Sequence, residues 1–260
     1  MEEAREILNW YILSGVEELC ADTTQNFVNS ENTKTAQSQN SAPNSPTLRP
    51  ATTLLAQTTN MALINARETC AQAQTLDDLK ALLENFEGCS LKFSANSTVF
   101  GYGNPQAEVM IIGEAPGADE DRIGEPFVGR SGHLLDKMLS AIGLQRQDCY
   151  ITNVLPWRPP GNRTPTDSEV AVCVPFLLRQ IELVKPKILL LLGGKAANAI
   201  LNDASSISQL RGRIIDYTAE NGTVIPTLSS YHPAYLLRTP TQKAKVWADL
   251  LRLQRKLCSL

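Results

Sequence analysis

Short apolar runs alternate with helical patterns along the last 150 or so residues, and this alternation restricts the fold more than any other feature of the chain. Such alternation is typical of a parallel sheet that is covered by helices on both faces. The apolar runs are 109–112, 149–152, 188–192 and 223–227, and the helical patterns lie near 131–142, 167–184, 195–202 and 241–257. We therefore expect an α/β fold with three layers, α/β/α, around a central, mostly parallel four-stranded sheet.

The first 60 residues differ in composition from the rest of the chain. From residue 22 to about residue 60 the chain is rich in Thr, Gln, Asn, Ser and Pro, and it cannot bury enough apolar surface to offset its ordering entropy. We expect an N-terminal amphipathic helix over 1–21, a disordered linker over 22–60 and a folded domain over 61–260. The domain begins with a helical pattern over 61–88, capped internally by Thr75 or Asp77. The apolar positions of the N-terminal helix are Ile7, Leu8, Tyr11, Ile12 and Val16.

Composition and charge argue against several classes of protein. No apolar run approaches the length of about 18 residues that a membrane span needs, so we expect no membrane partner. The acidic N-terminus and six irregularly spaced cysteines predict a reduced, cytoplasmic protein rather than an exported one. The net charge of −3 argues against a strongly basic nucleic-acid binder, although a local patch can still bind an anion. A monomer is the expected state.

Two glycine-rich loops follow the first apolar run. In GEAPGADED, residues 113–121, the glycines allow backbone amides to approach a ligand, while the carboxylates fit either a site or a solvated face. In GEPFVGRSG, residues 124–132, Phe127 is either a core residue or a stacking platform for a flat ligand. Ligands of parallel sheets bind outside the carboxyl ends of the strands, which is where these loops are expected to lie.

Two further segments are expected at the same edge of the sheet. TNVLPWRPPGNRTPT, residues 152–166, contains Asn153, whose amide offers a donor and an acceptor side by side for a nucleobase edge. SSYHPAYLLR, residues 229–238, contains His232, which is either structural or catalytic. His133, the other of the two histidines, is expected on a helix surface.

These blocks together resemble the uracil-DNA glycosylase superfamily, and within it family 4, whose members normally carry an iron–sulfur cluster. The resemblance runs from about Phe86 to Arg238 and is weaker to the chain end. It implies an enzyme that flips uracil out of DNA and hydrolyses its N-glycosidic bond, the first step of base-excision repair. The blocks that carry it are GEAPGADED, GEPFVGRSG, TNVLPWRPPGNRTPT and HPAYLLR, in that order along the chain.

The resemblance also implies the roles of individual residues. Phe127 would stack on the extruded uracil, Asn153 would hydrogen-bond its Watson–Crick edge, and His232 would donate to O2 of the departing uracil anion. Glu114 and Ala115 would shape the floor of the pocket. Either Glu120 or Asn162 would orient the attacking water.

Contacts to DNA are implied in the same way. Leu236 or Leu237 would enter the space left by the base, with the other leucine in the core, and Arg238 would contact a phosphate. Further candidates for phosphate contacts are Arg130, Arg158, Arg163, Arg211 and Arg213.

The chain departs from the family at the cysteines that hold the cluster. The corresponding positions are occupied by Phe86, Cys89, Trp157 and Cys173, so two ligands remain. Because a cluster is normally held by four cysteine thiolates, we predict that this chain has no iron–sulfur cluster and no other metal cofactor.

Two other functions compete with uracil hydrolysis. One is a non-catalytic uracil-DNA binding or adaptor protein, in which the N-terminal helix recruits a replication or repair protein. The other is a glycosylase with broadened specificity for other deaminated bases. The joint presence of Phe127, Asn153 and His232 favours the enzyme.

Overall fold

The computed structural model describes residues 51–260, with side chains from residue 59 onward. The predicted N-terminal helix over 1–21 and the first part of the predicted linker lie outside this range. The predicted linker end at residue 60 is wrong, because helix α1 (Ala51–Ala71) already begins at residue 51. Its C-terminal half explains the difference: Ala66 and Cys70 are buried in the core, and this packing supports a helix that extends into the polar segment.

Within residues 51–260 the sheet has six strands, which are β1 (Tyr102–Gly103), β2 (Val109–Gly113), β3 (Cys149–Asn153), β4 (Ile188–Leu192), β5 (Ile214–Thr218) and β6 (Val224–Ser230). Their order across the sheet is β1-β3-β2-β4-β6-β5. The four central strands are parallel, as predicted, and the two edge strands are antiparallel to their neighbours. The predicted count of four strands missed both edges, because β1 has two residues and β5 is largely exposed, so neither is an apolar run.

The helical pattern predicted over 61–88 is divided between α1 and α2, and Thr75 rather than Asp77 caps the second helix. The Thr75 side chain accepts from the Asp78 amide, while the Asp78 carboxylate accepts from the Thr75 amide. None of the helices in the described part of the chain is long and apolar enough to cross a membrane. The remaining α-helices are α2 (Leu76–Asn85), α3 (Ala118–Ile123), α4 (Arg130–Ser140), α5 (Asp167–Val184), α6 (Gly194–Leu201), α7 (Ile207–Leu210), α8 (Pro233–Arg238) and α9 (Lys243–Leu257).

Side chains of the central strands alternate between two hydrophobic cores. Ile111 and Leu190 belong to the core on one face, which includes side chains of α4, α8 and α9. Met110 and Leu189 belong to the core on the other face, which includes side chains of α5 and α6. This alternation follows from the two-residue period of a strand and confirms the three-layer architecture.

A third core lies between α1, α2 and α5. It contains the four residues at which the resemblance implies cluster ligands, namely Phe86, Cys89, Trp157 and Cys173, each of which is buried. The Phe86 ring packs against that of Phe176 with a centroid distance of 5.0 Å. These four residues therefore lie within one packed apolar core.

Candidate active site

A cavity of about 380 Å³ lies at the carboxyl ends of the parallel strands. The loops after β2, β3 and β6 meet there, together with the loop that carries Phe127. Its volume is in the usual range for a small-molecule site. A larger groove, of about 880 Å³, runs along α1, α5 and α6, but none of the predicted site residues lines it. The predicted residues that line the smaller cavity are Glu114, Ala115, Glu120, Phe127, Asn153, Asn162, Arg163, His232 and Arg238.

The aromatic ring of Phe127 lies close to the side chains of His232 and Asn153. It stacks on the His232 ring, with centroids 5.4 Å apart and an angle of 26° between the planes. A Cβ atom at Gly113 would lie 2.6 Å from the Phe127 ring and 2.4 Å from Asn153 Oδ1. The absence of a side chain at Gly113, the last residue of β2, therefore allows the ring and the amide to approach each other.

Asn153 is the last residue of β3 and pairs in register with Gly113 on the neighbouring strand. Its side chain is only 6% exposed, and its Oδ1 atom has no hydrogen-bond partner among the described residues. Leaving a buried acceptor unpaired costs about 1–3 kcal/mol. An amide held in this way is suited to accept a hydrogen bond from a ligand N–H group.

The tautomer of His232 is determined by the turn in which it lies. His232 is the N-cap of α8, and its Nδ1 atom accepts from the Ala234 amide at 3.1 Å. In the neutral ring the proton must then be on Nε2, which leaves Nε2–H as a donor. Burial, together with a smaller contribution from the Arg238 charge, lowers the pKa of His232 from 6.5 to about 4, while Glu120 opposes the shift. The imidazole is therefore neutral at physiological pH.

This pKa shift predicts a pH dependence of stability. The unfolded chain binds a proton at this histidine near pH 6.5, whereas the folded chain does so only near pH 4, so stability is present above 6.5 and is lost as pH falls between these values. Between about pH 7.5 and about pH 5 we expect the protein to lose about 2 kcal/mol more unfolding free energy than His232→Asn. Urea denaturation at both pH values measures this, and equal losses in the two proteins would contradict it.

The Glu120 carboxylate connects two loops of the cavity. One oxygen accepts from the Val128 and Gly129 amides at 3.0 and 2.9 Å, and the other accepts from the Gly117 amide at 3.1 Å. Glu120, one of the two residues predicted to orient the attacking water, therefore already accepts from three backbone amides. The Glu114 carboxyl, by contrast, has no side-chain hydrogen bond within residues 51–260, and burial raises its pKa, while Lys195 opposes the shift.

Asn162 lines the cavity from the stiff loop after β3, in a left-handed conformation with φ of 56°. Its side-chain oxygen accepts from Arg158 Nε at 2.7 Å. Arg158 also lies 3.9 Å from a carboxylate oxygen of the buried Asp121. Asn162 and Arg158 therefore bind each other and hold the loop after β3 beside the cavity.

The predicted arginines fall into different environments. Arg163 and Arg238 line the cavity, and Arg163 forms a two-point ion pair with Glu169 at 2.9 and 2.6 Å. Arg130 is exposed at the first residue of α4, the helix that follows the Phe127 loop. Arg213 is exposed but does not line the cavity.

The structure contradicts one predicted DNA contact, that of Arg211, and decides between the two leucines. Arg211 is held by the fully buried Asp249, with contacts of 2.6 and 3.1 Å, and its guanidinium lies 5.4 Å from the Tyr231 ring centroid, so it is committed to the interior. Leu236 is 1% exposed within the core and cannot act as a wedge. Leu237, at 39% exposure, remains available for that role.

Sequence reasoning missed Pro159 and Tyr235, which also line the cavity. Each of them lies within or beside a recognised motif, so proximity to the motifs was the available signal. It also missed Arg146, which contacts the Phe127 backbone from outside the motifs. An isolated arginine before a strand gives no sequence signal of this kind.

Comparison with known proteins agrees with this geometry. A family model described as Uracil DNA glycosylase superfamily matches residues 100–251. The chain is 40% identical over 185 residues to the type-4 uracil-DNA glycosylase of Archaeoglobus fulgidus, and the matched region covers 69% of this chain and 92% of that protein. It is 42% identical over 158 residues to the type-4 uracil-DNA glycosylase of Thermotoga maritima, covering 60% and 80%.

A type-5 relative is more distant. The type-5 uracil-DNA glycosylase of Pyrobaculum aerophilum is 31% identical over 169 residues, covering 58% of this chain and 72% of that protein. The chain thus belongs to the uracil-DNA glycosylase superfamily and is similar to its type-4 members.

Proposed function

We propose that this protein is a uracil-DNA glycosylase, which hydrolyses the N-glycosidic bond of a uracil flipped out of DNA. Its membership of the superfamily and its similarity to type-4 enzymes support this function. The observation that carries the proposal is the buried Asn153 Oδ1, which has no hydrogen-bond partner within residues 51–260. Asn153 lines the same cavity as an aromatic ring and a neutral imidazole. Uracil supplies the N–H donor, the flat face and the acceptor that these groups require.

Asn153 is the residue that would distinguish uracil from cytosine. Its amide oxygen accepts from uracil N3–H, while its amide nitrogen donates to O4. Cytosine presents an acceptor at N3 and a donor at N4, so a fixed amide opposes both groups. Burial of Asn153 supports a fixed orientation, because close packing limits rotation of the side chain.

His232 would stabilise the leaving group. Cleavage of the bond between base and sugar places negative charge on the uracil and positive character on the sugar. A donor already aimed at the base lowers the barrier without reorganisation. Because Nδ1 accepts from the Ala234 amide, Nε2–H is the donor available to uracil O2.

The water that attacks the sugar requires a polar partner, and Glu114 is the best supported one. Both oxygens of Glu120 already accept from backbone amides, and the Asn162 oxygen accepts from Arg158. Glu114 lines the cavity with an uncommitted carboxyl group whose pKa is raised by burial. A raised pKa makes its carboxylate a stronger proton acceptor for the water.

DNA would approach the mouth of the cavity. Arg163 and Arg238 line it, and the exposed Leu237 precedes Arg238 on α8. An apolar side chain at this point offsets part of the few kcal/mol that unstacking a base costs.

We propose that the domain acts as a monomer, since base flipping needs a single cavity. We also propose that the segment 1–21 recruits a replication or repair protein through its apolar positions.

The test is a base-release assay. The protein is incubated with oligonucleotides that contain uracil, hypoxanthine, xanthine or thymine, opposite A or G and in single strands, and abasic sites are then cleaved with alkali. Release of uracil alone supports the proposed function. Release of several bases would indicate the broadened specificity, whereas uracil-dependent binding without release would indicate an adaptor.

We also propose that the protein carries no iron–sulfur cluster. Phe86 and Trp157 stand at two of the four ligand positions and are themselves packed in the third core. The two remaining thiols, of Cys89 and Cys173, are buried in the same core. Two thiols and two aromatic side chains do not fit a group that is normally held by four thiolates.

Iron and sulfide analysis of protein purified without oxygen is expected to find far less than one iron per chain. The matched control is the double variant Phe86→Cys/Trp157→Cys, which restores the four-cysteine set and is expected to acquire iron, sulfide and visible absorbance when expressed in the same way. Near-stoichiometric iron and sulfide in the unmodified protein would contradict the proposal.

A further inference from the structure

The backbone at Phe127 is strained. Its φ of 55° lies in the left-handed region, which an aromatic residue rarely adopts. A conformation of this kind costs about 1–3 kcal/mol and persists only where the surrounding structure holds it. The groups that hold this turn are therefore part of what places the ring in the cavity.

Arg146 holds the turn from the side away from the cavity. Its guanidinium donates to the Phe127 carbonyl at 2.8 Å and also to the Pro126 carbonyl. The same group pairs with Asp136 at 3.2 Å and lies 5.0 Å from the Tyr102 ring centroid. Its side chain is 19% exposed, and it does not line the cavity. A planar guanidinium can bind two adjacent carbonyls in this way, whereas an ammonium acts as a point charge.

The other half of the turn is held by Glu120, which accepts from the Val128 and Gly129 amides. Helix α4 packs directly against the turn, since a Cβ atom at Gly132 would lie 1.7 Å from the Phe127 carbonyl oxygen. A cation therefore holds two carbonyls and an anion holds the next two amides. The ring of Phe127 projects from the middle of this arrangement.

We propose that Arg146 is a positioning residue for the reaction. It acts on the base only indirectly, by holding the ring of Phe127 in place. This inference rests on the proposed function. Without Arg146, two adjacent carbonyls lose their charged donor, and the turn is free to relax toward a negative φ. The ring would then leave the position in which it meets the His232 ring and the Asn153 amide.

The test is single-turnover cleavage of a uracil-containing duplex at saturating protein. We expect Arg146→Met to lower the rate constant by about tenfold or more, because a misplacement of about 1 Å can cost up to about 10²-fold. The folded fraction, measured by circular dichroism at the assay temperature, should stay near that of the wild type. A merely structural role would lower thermal stability or the folded fraction while leaving the rate constant at saturating protein unchanged.

Arg179 provides a matched control. It also donates to a backbone carbonyl, that of Ala73, at 2.7 Å, pairs with Glu182 at 2.7 Å and has a side chain 25% exposed, but it does not line the cavity. Arg179→Met is expected to lower thermal stability about as much as Arg146→Met and to leave the rate constant within about twofold of wild type.

A double-mutant cycle tests whether the effect passes through the ring. In a Phe127→Ala background, Arg146→Met should change the rate constant by less than about twofold, since the group that it positions is gone. If Arg146→Met does not fold, Arg146→Lys serves instead. One ammonium cannot reproduce the two-point contact, so its rate constant should fall by about threefold or more.

The outcomes separate the two proposals. Absence of base release by the wild-type protein would overturn the proposed function. An active wild type with an unchanged rate constant in Arg146→Met, or an undiminished Arg146→Met effect in the Phe127→Ala background, would overturn the role of Arg146 alone.

Discussion

Replacing His232 with alanine is expected to lower the single-turnover rate of uracil release by about a hundredfold, because one preorganised donor to a developing anion is worth about 3 kcal/mol. The geometry strengthens this expectation, since the Ala234 amide holds the ring so that Nε2–H is its donor. Burial keeps the ring neutral, with a pKa of about 4, so the donor persists over the working pH range. Quenched-flow or manual sampling at saturating protein gives the rate constant directly.

Two further variants separate the donor from the helix cap. His232 caps α8 through Nδ1, and losing a cap costs about 1 kcal/mol of stability. His232→Asn retains a capping acceptor and should be nearly as slow as His232→Ala but more stable. His133→Ala removes the exposed histidine of α4 and should leave the rate unchanged. A loss below about threefold in His232→Ala would remove this residue from the mechanism.

Replacing Asn153 with leucine is expected to lower uracil release by about a hundredfold while leaving the fold as stable as before or more so. The two hydrogen bonds to the base are lost, and paired contacts of this kind are worth about 1–3 kcal/mol. Stability moves in the other direction because Oδ1 is buried without a partner within residues 51–260, and leucine of similar shape removes that cost.

The measurement pairs a single-turnover assay with urea denaturation of the same preparations. Thr152→Val, one residue earlier on β3, is the matched control. It removes a buried hydroxyl that donates to the Phe100 carbonyl at 2.7 Å and should cost stability, with little effect on the rate. If Asn153→Leu were both destabilised and fully active, the side chain would be structural.

The central strands and the site loops could be predicted because their signals are local. Runs such as Ile188–Leu192 are apolar throughout, which parallel strands buried on both faces require. Phe127, Asn153 and His232 follow strands or lie in glycine-rich loops, and parallel strands bring such loops to one edge. The edge strand Ile214–Thr218 was missed because half-exposed residues beside water carry no comparable pattern.

The wrong, open and missing predictions concern residues whose role depends on a distant partner. Arg211 has the sequence context of a surface arginine, yet Asp249 on α9 binds it in the interior. Leu236 and Leu237 are indistinguishable in the sequence, and only the docking of α8 on the sheet decides which is buried. The same holds for Arg146, whose contact with the Phe127 carbonyl joins positions 19 residues apart.

Local order along the chain thus specified the parallel sheet, the position of the loops and the types of chemical group that they carry. Three-dimensional packing decided the φ of Phe127, the tautomer of His232, the unpaired state of Asn153 Oδ1 and the separation of buried from exposed side chains. The physical reason is range: periodicity and turn preferences act over a few residues, whereas burial, hydrogen bonding and charge pairing depend on groups that only the folded chain brings together.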